Sequence, residues 1–186
     1  MDYENKTWHE LIHFLKGRKI ALFGNAKSVL NKEKEIDSQY DVICRMNLGF
    51  VKGHEKYIGS KTDVLFLSMP IQEERLRQLN PKFIIWCTPK QELMTPHLQK
   101  HALTYSKVDW YRLFGTLKAR PSTGVMAFDI LINIGCKQLD LYGFDHWKSV
   151  TWYNDKNRPS HHNPETEEKY INWNIDQYKG RIIKND

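Results

Sequence analysis

The segment Pro121-Ser-Thr-Gly124 is followed by a long apolar run, then Gly135-Cys136, then Leu139-Asp-Leu-Tyr-Gly-Phe144. Its chemistry is that of an anion site. Ser122 or Thr123 can cap a helix by accepting free N–H groups of the first turn, and Gly135 can take the left-handed conformation that ends it. The helix between them, Val125 to Ile134, is apolar on most faces and is expected to be buried. A buried helix opening on Ser122, Thr123 and Gly124 turns unpaired N–H groups and a positive dipole end toward whatever precedes it, which suits a phosphate. His162, in His162-Asn-Pro-Glu-Thr-Glu167, is a candidate general base near neutral pH. The chain has eight histidines, however, and a lone surface histidine is more often inert. Glu167 falls in a first helical turn, where the dipole favours acidic residues anyway.

Other polar residues stand where strands are expected to end. Gly24-Asn25-Ala-Lys-Ser28 follows the strand Lys19 to Phe23, as a nucleotide loop should. It lacks the later glycines of the dinucleotide fingerprint, so NAD is a poor fit. Asn47, after Arg45-Met46, can offer both a donor and an acceptor to a base or ribose. Gly143, Phe144, Asp145 and His146 follow the strand Leu139 to Tyr142 and are placed to reach a ligand. No zinc-like spacing, Walker loop or Asp-x-Asp run occurs, so no metal is expected.

The elements that must position these residues read as short apolar strands alternating with helices. Strands are expected at Lys19–Phe23, Asp41–Arg45, Asp63–Leu67, Phe83–Cys87 and Leu139–Tyr142. Helices are expected at Trp8–Leu15, Gln72–Leu79, Gln91–His101, Val125–Ile134 and Glu168–Tyr178, with a turn into a helix after Asn25. This pattern predicts an α/β fold: one Rossmann-like domain with a mostly parallel sheet covered by helices on both faces. Ligands of such sheets bind beyond the carboxyl ends of the strands, where the strand order reverses. Residues 1–18 read as an N-terminal helical segment packed on a nucleotide-binding domain of residues 19–186. The stretch His146 to Pro164 reads as a long loop.

At 186 residues with a net charge of +6, the chain suits anionic partners in general. The basic residues are scattered, and nucleic acid is not expected. The charge also admits peripheral contact with a membrane surface. Cys44, Cys87 and Cys136 read as reduced thiols in a cytoplasmic protein, working if at a membrane then at its inner face. The oligomeric state is not legible.

Together these segments resemble the motifs of the sialyltransferase family, glycosyltransferase family 29. Ile20-Ala-Leu-Phe-Gly-Asn25, Ile36 through Asn47, and Gly59-Ser-Lys-Thr-Asp63 resemble its large motif in order. Pro121-Ser-Thr-Gly124 through Tyr142-Gly-Phe144 resembles its small motif, and His162 with Glu167 has the His-x4-Glu spacing of its very small motif. The chain departs from the third motif, a histidine followed by aromatics: Trp152-Tyr153 follows Thr151 instead, with His146 a candidate substitute for the histidine. The resemblance implies a short soluble member with a GT-A-like variant of the fold. It implies inverting, metal-independent transfer of a 2-keto acid sugar, sialic acid or the related Kdo, from its CMP donor to a glycan or glycolipid hydroxyl. Asn25 and Asn47 would hold the cytidine nucleotide. Ser122, Thr123 and Gly124 would hold its phosphate and ribose, and His162 would take the acceptor proton. No cofactor is implied. Animal members bridge two cysteines; Cys136 matches one, and Ile20 stands in place of the other, so that bridge cannot form. Two alternatives remain: a pterin diphosphokinase-like enzyme needing ATP and Mg²⁺, and a nucleotide-binding module without catalysis.

Overall fold

The computed structural model describes residues 6–153 and 161–185. Seven strands form one sheet: β1 (Lys19–Phe23), β2 (Val42–Met46), β3 (Val64–Leu67), β4 (Phe83–Trp86), β5 (Ala102–Thr104), β6 (Gln138–Tyr142) and β7 (Ile182–Asn185). Their order is β5-β4-β3-β2-β1-β6-β7, and every pairing is parallel, so the expected "mostly parallel" sheet is wholly parallel here. From β1 the chain steps outward to β5, then returns to lay β6 on the other side of β1. The strand order therefore reverses between β1 and β6, whose register pairs Ile20 with Leu139 and Phe23 with Tyr142. That reversal opens a crevice beyond their carboxyl ends.

The strands are apolar runs because both faces are covered. Ile20, Leu22, Cys44, Phe66, Ile85, Leu139 and Leu141 face one helical layer. That layer holds α1 (Trp8–Leu15), α6 (Lys107–Leu117), α7 (Thr123–Ile134) and α8 (Pro164–Gln177). Ala21, Phe23, Ile43, Leu65, Ile84 and Trp86 face the other layer, made of a 3-10 turn at Lys27–Asn31 and the shorter helices α2 (Ile36–Gln39), α3 (Glu55–Ile58), α4 (Glu73–Leu79) and α5 (Pro96–His101). Leu11 and Leu15 of α1 are fully buried, which seats the N-terminal helix on the sheet.

Several boundaries differ from those expected. The span Gln91–His101 is not one helix: a 3-10 turn at Gln91–Leu93 precedes α5, whose cap Thr95 and first-turn Pro96 restart the helix. The segment expected from Glu168 begins at Pro164, because the Asn163 side chain accepts from Thr166 N–H and caps it there. The turn after Asn25 becomes a 3-10 rather than an α-helical segment. Part of the loop expected over His146–Pro164, residues 154–160, lies outside the described residues.

Helices α6, α7 and α8 are tied by one buried carboxylate. Asp129 on α7 accepts from Tyr105 Oη, Arg112 Nη2 and Tyr170 Oη, each at 2.6 Å. A buried carboxylate needs such donors to offset its lost hydration. At the other end of α7, Arg181 donates to the carbonyls of Ile132 at 2.9 Å and Cys136 at 3.0 Å, where a cation complements the dipole. The first turn of α7 is thereby held in place at the crevice. All three cysteines are free and buried. No described helix is long and apolar enough to cross a membrane.

Candidate functional site

At the reversal point two glycines let the strand ends converge. Gly24 N–H donates to Tyr142 O at 2.7 Å, and a Cβ on Gly24 would lie 2.2 Å from Gly143 O. Gly143 is itself left-handed, and a Cβ there would meet Val29 at 2.6 Å. The three atoms nearest that Cβ, Gly143 O, Gly143 C and Tyr142 O, are all backbone and cannot swing away. Gly24→Ala should therefore destabilise the fold by about 2–3 kcal/mol or more in urea unfolding. Gly115→Ala is the matched control: its Cβ would meet nothing within 4 Å, so helix propensity should leave it neutral or stabilised by up to about 1 kcal/mol. Equal losses in both would show that the contact at Gly24 is relieved.

The crevice is a cavity of about 270 Å³. Every site residue singled out in the sequence lines it: Gly24, Asn25, Asn47, Ser122, Thr123, Gly124, Gly143, Phe144, Asp145, His146, Tyr153, His162 and Glu167. Strand ends bring Asn25, Asn47 and Phe144 there, α7 brings its N-terminus, and the entry to α8 brings His162 and Glu167. The end of the segment 145–151 is tied to the residues that follow Asn25. Lys27 N–H donates to Val150 O at 2.9 Å, and Ala26 bridges Thr151. Asp145 accepts from the backbone and hydroxyl of Ser149, closing that turn.

The start of α7 has two donors to spare. Val125 N–H is satisfied by Ser122 Oγ at 3.2 Å and Met126 N–H by Ser122 O at 3.1 Å. The N–H groups of Thr123 and Gly124 have no acceptor within the helix, as first-turn geometry requires. Gly124 also makes room: a Cβ there would press Phe144 at 3.2 Å. The Thr123 side chain joins a small polar cluster. It donates to Ser68 Oγ at 2.8 Å and accepts from Asn47 Nδ2 at 3.4 Å, while Asn47 Oδ1 accepts from Ser68 N–H at 3.1 Å. Asn47 holds this place with a left-handed backbone, which asparagine tolerates.

Glu167, almost wholly buried, grips Ser122 with both oxygens. Oε1 accepts from Ser122 N–H at 2.8 Å and Oε2 from Ser122 Oγ at 2.7 Å. Burial pushes its carboxyl up to about 7, against the lowering effect of the two Ser122 donors. It lines the cavity while its carboxylate holds the cap of α7.

His162 Nδ1 lies 2.7 Å from Arg120 O. A carbonyl can only accept, so the proton sits on Nδ1 and the lone pair on Nε2. Burial holds the ring below the ordinary histidine pKa, outweighing the Arg120 hydrogen bond that favours the charged form. The Trp147 ring stacks on His162 with centroids 5.6 Å apart, and Arg120 N–H returns a bond to His161 O at 3.3 Å. The imidazole is thus oriented, fixed in one tautomer and biased toward its neutral form. Sequence reading missed Ser68, Arg120 and Trp147. Arg120 acts through its backbone, which no side-chain pattern announces. Ser68 follows β3 and could have been found by applying the strand-end rule once more.

Residues 16–86 match the sequence model of glycosyltransferase family 29 (sialyltransferase). Solved structures similar to this chain include a mammalian sialyltransferase in complex with Gal-β-1-3GalNAc-ortho-nitrophenol. It is 22% identical, with 91% of this chain and 70% of that one covered at a TM-score of 0.65. The sialyltransferase CstII from Campylobacter jejuni, in complex with cytidine-5'-monophosphate, is 16% identical, with 91% and 80% covered and a TM-score of 0.60. The monofunctional α-2,3-sialyltransferase Cst-I from Campylobacter jejuni is 15% identical, with 99% and 78% covered and a TM-score of 0.63. The chain has the sialyltransferase fold. No curated protein sequence matches it. The family match runs from Lys16 to the end of β4, and so contains Gly24, Asn25 and Asn47. The cap of α7 and the His162–Glu167 pair lie beyond it, and the fold brings them to the same crevice. Among the described residues, no group of three or more His, Cys, Asp or Glu side chains could hold a metal ion.

Proposed function

We propose that this chain is a member of glycosyltransferase family 29 that moves a 2-keto acid sugar from its CMP donor to a glycan hydroxyl, with inversion and without a metal. One observation carries the reading: a tautomer-fixed histidine and two helix N–H groups without an acceptor in their helix line one cavity. Asn25 and Asn47 hold the nucleotide. The phosphate of CMP sits at the N–H groups of Thr123 and Gly124. The acceptor oxygen attacks the anomeric carbon from the face opposite CMP, forming the new C–O bond as the C–O bond to phosphate breaks. The electron pair of that bond leaves with CMP, and the acceptor proton passes to His162 Nε2. Negative charge on the departing phosphate grows beside the positive end of α7, which stabilises it most when it is largest. The helix terminus supplies the role that a divalent cation plays for a diphosphate leaving group.

Ligand-induced stabilisation tests the donor class. CMP in EDTA is expected to raise Tm, by an amount equivalent to about 2.7 kcal/mol at a hundred times its Kd, and ATP with Mg²⁺ to do nothing. Stabilisation by ATP and Mg²⁺ alone would overturn the CMP assignment in favour of a diphosphokinase-like reaction. Parallel assays with CMP-sialic acid and CMP-Kdo in EDTA identify the sugar. Transfer that needs added metal would remove metal independence. CMP binding without transfer from either donor would leave a nucleotide-binding module.

A further inference from the structure

The outer face of α6 carries three exposed apolar side chains. Val108 is 79% exposed, Tyr111 62% and Phe114 44%, all on a helix whose inner residues Leu113 and Leu117 are buried. At 3.6 residues per turn these three share roughly 160° of circumference with Lys107, Arg112 and Lys118. Asp109 falls outside that arc, on the side where it pairs with Arg112. Arg112 is also committed to Asp129. The arc therefore holds exposed aromatic and aliphatic side chains, with Lys107 and Lys118 at the two ends of the helix and no carboxylate of its own. Trp110, stacked on Phe114 with centroids 5.5 Å apart, backs it with a rigid aromatic surface. Exposed apolar area flanked by lysine is the pattern of a helix that lies in a membrane interface, its rings among headgroups and its cations on anionic lipid. The chain's net charge of +6 acts in the same direction.

The same helix end borders the candidate base. Phe114, Lys118 and Arg120 line a shallow hollow of about 620 Å³ together with His161 and His162. His162 thus faces two spaces, the crevice already described and this hollow at the end of α6.

We infer that the outer face of α6 docks on an anionic lipid bilayer and presents the hollow beside His162 to an acceptor carried by that surface. The docking claim stands on the helix alone; the acceptor claim rests on the reading given under Proposed function.

Flotation with phosphatidylcholine–phosphatidylglycerol vesicles, against phosphatidylcholine alone, tests the docking. The chain is expected to float with the anionic vesicles, less with the neutral ones, and to be released by salt. The doubly substituted Val108→Asp/Tyr111→Asp chain should lose about tenfold or more of its partitioning, and Lys107→Glu about fivefold. All three positions are exposed, and the Tm increase caused by CMP should be the same in each variant, which reports that fold and crevice are intact. Transfer to a soluble acceptor should be unchanged and transfer to a vesicle-borne acceptor reduced. Absence of flotation would overturn the inference, as would flotation that ignores the substitutions. So would a wild-type dimer in light scattering that the substitutions break, since the face would then be a self-interface. Flotation needs neither donor nor chemistry, so loss of the CMP response in wild type would strike only the transferase reading.

Discussion

His162→Ala is expected to lower kcat for sugar transfer by about 10²- to 10⁴-fold while CMP affinity stays within a factor of about two. The asymmetry follows from where the residue acts. Its Nδ1 proton is spent on Arg120 O, so the ring contributes one lone pair, on Nε2. That lone pair is needed while the acceptor O–H is being broken, and the nucleotide gains little from it. The pH profile gives a second readout. Burial lowers the histidine below its ordinary value of 6.5. A base works unprotonated, so activity should be full near neutrality and fall on acidification only below that ordinary value. The rate–pH curve of wild type checks this, because the acid limb belongs to the free enzyme's base in kcat/KM. An acid limb centred at or above 6.5, or full transfer by the alanine variant, would remove His162 from the proton transfer.

Much of this site was legible because its parts sit at element boundaries. Gly24, Asn47 and Gly143 follow apolar strands that are buried on both faces, and such runs read clearly between glycines and polar residues. Ser122 and Gly135 bracket α7 as capping rules require, with Gly135 left-handed at the end. What escaped was either short or unpatterned. β5 has three residues, and β7 offers only Ile182 and Ile183, the second exposed at the sheet edge. Helix α6 gave no signal because apolar residues stand on both its faces: Leu113 and Leu117 inward, Val108, Tyr111 and Phe114 outward. A one-sided stripe never forms, so periodicity cannot show it. That same irregularity is the physical basis of the proposed docking face. The resemblance supplied what neither propensity nor pattern could, namely which nucleotide to propose for the crevice.

The joint between Glu167 and Ser122 makes a prediction of a different kind, because it links stability to pH. The two Ser122 donors favour the carboxylate, yet burial outweighs them and raises the carboxyl from 4.5 to about 7. The folded chain therefore holds this proton more tightly than the unfolded chain between those values. Stability from this group is full below pH 4.5 and is lost as pH rises through 7, a span worth about 3 kcal/mol. Other groups titrate too, so the measurement is a difference. Tm of wild type should decline across this window relative to Glu167→Gln, which cannot ionise. Parallel curves for the two would show that the carboxyl is not shifted. Glu167→Ala goes further by leaving Ser122 N–H and Oγ without their partner in a buried place, at a cost of about 1–3 kcal/mol. Because Ser122 caps α7, that loss also frees the first turn, where Thr123 and Gly124 present their N–H groups. CMP should bind the alanine variant more weakly, and the glutamine variant, which keeps one acceptor oxygen on Ser122, should lie between it and wild type. His162→Ala and Glu167→Ala would then separate cleanly: one loses turnover with the nucleotide still held, the other loses the nucleotide first.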